Sequence, residues 1–83
     1  MSQELSLKDN RISYLGKYDL AWGYNLKKVH LSSNEILDVA NYTFRYTPHL
    51  QLLDIARNNL TSIPPNLPQS LKWFVVSYLH IAV

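Results

Sequence analysis

Cysteine is absent from all 83 residues, which excludes a disulfide framework, a thiolate metal site and a cysteine nucleophile. Charge is sparse as well. Only 17% of residues are charged and the net charge is +2 with no long basic run, so composition does not suggest a nucleic-acid surface. Long apolar runs are missing. The longest apolar-rich stretch, Trp73 to Val83, has 11 residues and contains Ser77 and His80, against about 20 needed to span a bilayer as a helix. The opening Met1-Ser-Gln-Glu-Leu-Ser has neither the basic segment nor the apolar segment of a secretory signal. Glycine occurs only at Gly16 and Gly23, in a segment that must turn. What remains is a hydrophobic fraction of 47%, that of a chain that folds. Its length allows one small domain.

The apolar residues follow neither a helix period nor a strand period. Leu50, Leu53, Ile55, Leu60 and Ile63, with Asn58 between Ile55 and Leu60, fit L-x-x-L-x-L-x-x-N-x-L. The pattern recurs 24 residues earlier as Leu26, Val29, Leu31, Asn34, Ile36 and Val39. Another 24 residues back come Leu5, Leu7, Asn10, Ile12 and Leu15, with Ser2 where the first leucine would fall. Forward by 21 come Leu71, Phe74, Val76 and Ile81, with Leu79 at the asparagine position. Periods of 20–29 residues with this pattern belong to leucine-rich repeats, in which each unit adds one strand and one return to a stack. The predicted fold is therefore an α/β-type leucine-rich-repeat solenoid. It should have a short parallel sheet on the concave side and irregular, extended or short helical returns on the convex side. The units run approximately 2–25, 26–49, 50–70 and an incomplete 71–83, one partial domain over 1–83. Leu20 and Phe44 fall where the convex side needs a large buried residue. Pro64, Pro65 and Pro68 make the third return extended, which accounts for its shorter length.

The segment Asn59-Leu-Thr-Ser-Ile-Pro-Pro-Asn-Leu-Pro-Gln-Ser-Leu71 and the segment Tyr46-Thr-Pro-His-Leu50 resemble the extracellular repeats of Toll-like receptor ectodomains and of the small leucine-rich proteoglycans. A bacterial effector group shares the L-P-x-S-L form, but its units are uniformly near 20 residues, unlike the two 24-residue spacings here. The resemblance implies non-catalytic recognition of a protein ligand or co-receptor, outside the cell or at its surface, with no cofactor. A Toll-like receptor fragment is the first expectation. A matrix proteoglycan fragment, or a truncated product without a function of its own, is the alternative. Both families flank their repeats with cysteine-rich caps that this chain lacks, so a piece of a longer protein is expected.

The asparagines come first among the individual residues. Each coil must turn after its strand and leave backbone groups without ladder partners, and a buried amide both donates and accepts. Asn10, Asn34 and Asn58 are expected to form a structural ladder. Asn41-Tyr-Thr43 and Asn59-Leu-Thr61 are N-glycosylation sequons. Composition alone yields roughly one, so their exposed placement matters more than their number. On the sheet, outward residues should form columns about 4.8 Å apart: Glu4, Lys28, Leu52, Trp73; then Ser6, His30, Asp54, Val75; then Lys8, Ser32, Ala56, Ser77. This is the candidate binding face, charged at one end and apolar at the other. His30 beside Asp54 invites a pH-sensitive contact, whereas catalysis would need a third orienting group and a pocket. His49 and His80 fall at non-equivalent positions and suggest no metal cluster. The end Phe74–Val83 is β-prone and free of proline, hence a predicted site of self-association.

Overall fold

The computed structural model describes residues 3–76. Ser2, Ser77, Leu79, His80 and Ile81 lie outside the described residues, as does most of the segment expected to self-associate. Alternation of outward and inward side chains produces very short strands: β1 (Glu4–Ser6), β2 (Tyr14–Leu15), β3 (Lys28–His30), β4 (Asp38–Val39), β5 (Leu52–Asp54) and β6 (Trp73–Val75). β1, β3, β5 and β6 form one parallel sheet in that order. Its register pairs Glu4 with Lys28, Lys28 with Leu52, and Leu52 with Trp73, reproducing the spacings of 24, 24 and 21. A parallel sheet needs a crossover between neighbouring strands, and here each return supplies it.

β2 and β4 pair in parallel as a second, two-stranded sheet, Tyr14 with Asp38 and Leu15 with Val39. Sequence periodicity gave no sign of it. The only helical piece among the described residues is a 3-10 turn at Thr43–Tyr46. Thr43 and Thr47 are fully buried around it, and their hydroxyls donate to Ala40 O at 2.7 Å and Phe44 O at 3.1 Å. The proline-rich return contains no helix. There Ser70 Oγ donates to Leu50 O at 2.6 Å, which gives the serine of the L-P-x-S-L segment its structural use.

Leu20 and Phe44 are buried on the return side, and Leu26, Val29, Leu31, Ile36, Val39, Leu50, Leu53, Ile55 and Leu60 complete the centre of the core with Leu15. The outer units are less covered. Leu5, Ile12, Leu71, Phe74 and Val76 are only partly buried against this core, and Leu7, expected inside, is 37% exposed. The reason is position: one flank of the first unit has no neighbouring coil among the described residues. Ile63 is a second departure. It is 55% exposed while Pro64 beside it is buried, because the proline-rich return shifts which side chain faces in. Gly23 serves proximity, since an added Cβ would lie 2.7 Å from Leu26 Cδ1 and 3.0 Å from Thr47 Cγ2.

The asparagines bond in a repeating pattern. Asn58 Nδ2 donates to Ile55 O and Ala56 O in its own turn, at 3.0 and 3.1 Å, and to Leu31 O of the preceding unit at 2.9 Å. Its Oδ1 accepts from Ile36 N at 3.0 Å. Asn34 does the same one unit earlier, with Leu31 O, Ser32 O, Leu7 O and Ile12 N. Asn10 is exposed, and its amide donates to Leu7 O and Lys8 O within its own turn. Among the described residues, Asn34 and Asn58 therefore stitch units together, whereas Asn10 closes its own turn.

Removing a buried amide strands the backbone groups it served, at about 1–3 kcal/mol for each group left unpaired. Alanine at Asn58 or at Asn34 should therefore lower unfolding free energy by about 3 kcal/mol, and Asn10→Ala by less than about 1 kcal/mol. Denaturant midpoints of the three variants check the order. Equal losses at all three positions would contradict it.

Candidate functional site

Period-two alternation sends every second side chain of the sheet outward. The register sets Glu4, Lys28, Leu52 and Trp73 in one row and Ser6, His30, Asp54 and Val75 in the next. All seven residues expected to make the binding face thus lie on one surface. Glu4 and Lys28 are exposed, and His30, Leu52 and Asp54 are half-buried. Trp73 and Val75 are 55% and 43% exposed despite being large and apolar. The face grades from polar and charged side chains on β1 and β3, through Leu52 beside Asp54 on β5, to apolar surface on β6. Ser32, placed outward by the pattern, is buried instead, because the chain is already bending into its turn there.

His30 does not pair with Asp54. Its Nε2 lies 2.7 Å from Glu4 Oε2, a diagonal contact across β1 and β3. Two causes combine. Asp54 Oδ1 accepts from Ala56 N at 3.1 Å, so its carboxylate is engaged in a local turn of the kind aspartate favours. Glu4 carries one more methylene and reaches a diagonal neighbour roughly 7–8 Å away at Cα. With side chains 26% and 57% exposed, this pair orders the face and adds little stability, of the order of 0–1 kcal/mol. Among the described residues no group of acidic, histidine or cysteine side chains is arranged to hold a metal ion.

At the C-terminal ends of the strands the face drops into a polar notch of about 290 Å³ lined by Lys8, Ser32, Ser33, Asp54, Ala56 and Arg57. Its shape comes from a backbone device repeated three times. Asp9, Ser33 and Arg57, each immediately before a repeat asparagine, have φ of 60°, 58° and 57°. This left-handed step aims the following amide back at the strand carbonyls, and it is a conformation that L-residues adopt at a cost. Glycine occupies none of these positions, so composition does not announce the step.

The two sequons lie away from the sheet face. Asn41 is exposed on the convex return and Asn59 is exposed beyond the turn, its N–H bonded to Ile36 O at 2.9 Å. At the N-terminal flank an apolar groove of about 340 Å³ opens between Leu5, Leu7, Ile12, Leu20 and Trp22. His49 stacks edge-on against Tyr24, ring centroids 5.0 Å apart. No helix of the described residues is long and apolar enough to cross a membrane.

Comparison with known proteins matches the sequence of this chain to a family. The profile described as leucine rich repeat matches residues 24–73. Mouse epiphycan is 37% identical over 68 residues, covering 82% of this chain and 21% of epiphycan. Human Toll-like receptor 8 is 32% identical over 85 aligned positions, 94% of this chain and 8% of the receptor. Rabbit lumican is 34% identical over 70 residues, 83% of this chain and 35% of lumican. The chain thus spans a minor part of each relative it matches. No solved structure matches it significantly.

The left-handed residue before each asparagine makes a specific demand. A β-branched residue is a strong outlier at positive φ, and such strain costs about 1–3 kcal/mol. Ser33→Val should therefore destabilise the fold by at least about 1 kcal/mol, whereas Ser33→Gly should be neutral or stabilising. Thermal unfolding of the pair measures this. A valine variant as stable as the glycine variant would show that the turn does not hold Ser33 in this conformation.

Proposed function

Because this chain belongs to the leucine-rich repeat family, we propose that it is a non-catalytic protein-recognition module of an extracellular or cell-surface protein, and that it binds a protein ligand through the concave sheet. The observation that carries this reading is the row Glu4, Lys28, Leu52, Trp73 on one face, ending in a tryptophan with more than half its surface in solvent. Tryptophan dominates binding energy where it is desolvated by a partner. Exposed apolar surface rimmed by charge is typical of a surface that meets another protein. The neighbouring Val75 and Leu52 extend the apolar end, while Lys28 and the Glu4–His30 pair form its polar border.

Two parent proteins fit. The similarity to Toll-like receptor 8 favours a receptor of that kind. The similarity to epiphycan and lumican equally favours a matrix proteoglycan. Either parent would present the sheet to a protein partner.

A photo-reactive phenylalanine derivative at Leu52 tests the face against one at Lys17 on the opposite side. On cultured cells and their deposited matrix, adducts are expected from position 52 and not from position 17. Trp73→Ala should weaken capture of the cross-linked species by about 30-fold, the loss of a hot spot of about 2 kcal/mol. Adducts from position 17 alone would move the binding surface to the convex side and sink the reading.

A further inference from the structure

The polar notch at the C-terminal ends of the strands holds more donors than its own acceptors use. Lys8, Ser32, Ser33, Asp54, Ala56 and Arg57 line its volume of about 290 Å³, against roughly 30 Å³ for one water molecule in the liquid. Backbone pairing continues past the strands here: Asp9 N donates to Ser32 O at 3.1 Å and Ser33 N to Ala56 O at 2.9 Å. That register sets Lys8, Ser32 and Ala56 in one row across three neighbouring coils. Lys8 and Arg57 therefore stand on opposite walls, two ladder spacings or about 10 Å apart at the backbone, with Ser32 on the floor between them.

Ser32 decides what the notch is for. It is only 7% exposed, and its hydroxyl has no hydrogen-bond partner among the described residues. Every fully enclosed polar side-chain atom among those residues is paired, so the Ser32 oxygen is not sealed in the core. It opens into the notch that it lines. A hydroxyl taken from water without a partner is costly, and the partner has to come from the notch. Lys8 is exposed and makes no ion pair among the described residues. Asp54 already accepts from Ala56 N through Oδ1. Lysine and arginine only donate, and an ionised carboxylate only accepts. Two cations and one carboxylate leave the notch rich in donors and one positive charge in excess.

We propose that this notch receives the carboxylate of an acidic side chain on a protein partner. The inference rests on the concave-face reading above and adds an anchor at one edge of that face. A carboxylate brings one negative charge and cancels the excess. A phosphate group, with close to two charges, overshoots it and is repelled by Asp54. The carboxylate oxygens accept from the Ser32 hydroxyl on the floor and from the Lys8 ammonium on one wall. Arg57 on the other wall presents a planar guanidinium, the donor group that best matches a planar carboxylate. Asp54 supplies discrimination, because a second anionic group beside it meets like charge. The notch adjoins the row of His30, Asp54 and Val75, so a partner lying on Leu52 and Trp73 can seat an acidic side chain here in the same encounter.

The test uses the full 83-residue chain, isotope-labelled for NMR, with N-acetyl-glutamate methylamide as the probe. Its glutamine analogue is the uncharged control, inorganic phosphate the competing anion, and potassium chloride the control for ionic strength. The glutamate probe should shift the backbone amides of Ser32, Ser33 and Arg57 saturably, with half-saturation near roughly 10 mM, as weak as a single partly exposed charged contact. Lys8→Gln and Ser32→Ala should each raise that concentration about fivefold. Lys8 is exposed, so Lys8→Gln keeps the fold whatever Ser32→Ala does to it. Should the chain be too dilute for NMR, slowed acetylation of Lys8 relative to Lys17, read by mass spectrometry, reports the same occupancy. Equal effects of the glutamate and glutamine probes, shifts that never saturate, or tighter binding of phosphate would each overturn the proposal. The probe is too small to need Leu52 or Trp73. Saturable shifts without cross-linking from position 52 would keep the carboxylate site and remove the concave-face reading, and cross-linking without shifts would do the reverse.

Discussion

The side-chain amide inside each turn is the interaction on which the rest of the structure depends. A coil that leaves a three-residue strand and bends at once cannot pair its own carbonyls, and an unpaired buried carbonyl is costly. Asn34 and Asn58 resolve this by donating within their own turn and to the unit before, while accepting from a backbone N–H of that same earlier unit. One residue type thus fixes both the local bend and the stacking of neighbours. No buried polar side-chain atom among the described residues lacks a partner. The middle units are correspondingly well buried, while the outer described units are less covered.

The left-handed step before each asparagine belongs to the same device. Asp9, Ser33 and Arg57 accept an uncommon backbone angle so that the next side chain points inward. The strain is local, and after Ser33 and Arg57 the reward is shared, because the inward amides of Asn34 and Asn58 each serve two coils. The stitching is also directional, from each unit to the one before it, so Asn10 closes its own turn alone among the described residues.

Much of this was legible in the sequence, for a definite reason. Inward positions recur with a fixed period because every unit meets the same steric demand, so Val29, Leu31, Leu53 and Ile55 announce themselves by spacing. So does the register that gathers Glu4, Lys28, Leu52 and Trp73 on one row. What spacing cannot convey is reach and competition. The partner of His30 depends on Glu4 being long enough for a diagonal and on Asp54 being drawn to Ala56 N. The pairing of β2 with β4, the outward turn of Ile63 and the positive φ of Ser33 are set by how neighbouring coils nest. No residue type at those positions signals them.

The separation of inward from outward residues has a functional consequence. The stack is specified by the inward apolar residues and the amides, which leaves the outward side chains of the sheet under almost no folding constraint. A surface ion pair there contributes little to stability, and an exposed tryptophan contributes to the core not at all. Residues that the fold does not need but that share one flat face are free to take the chemistry of a partner. Here that freedom has produced a gradient along a sheet four strands wide. Lysine and glutamate on the first two strands can orient a partner over distance. The leucine, tryptophan and valine on the last two can hold it by burial. Both sequons lie off this face.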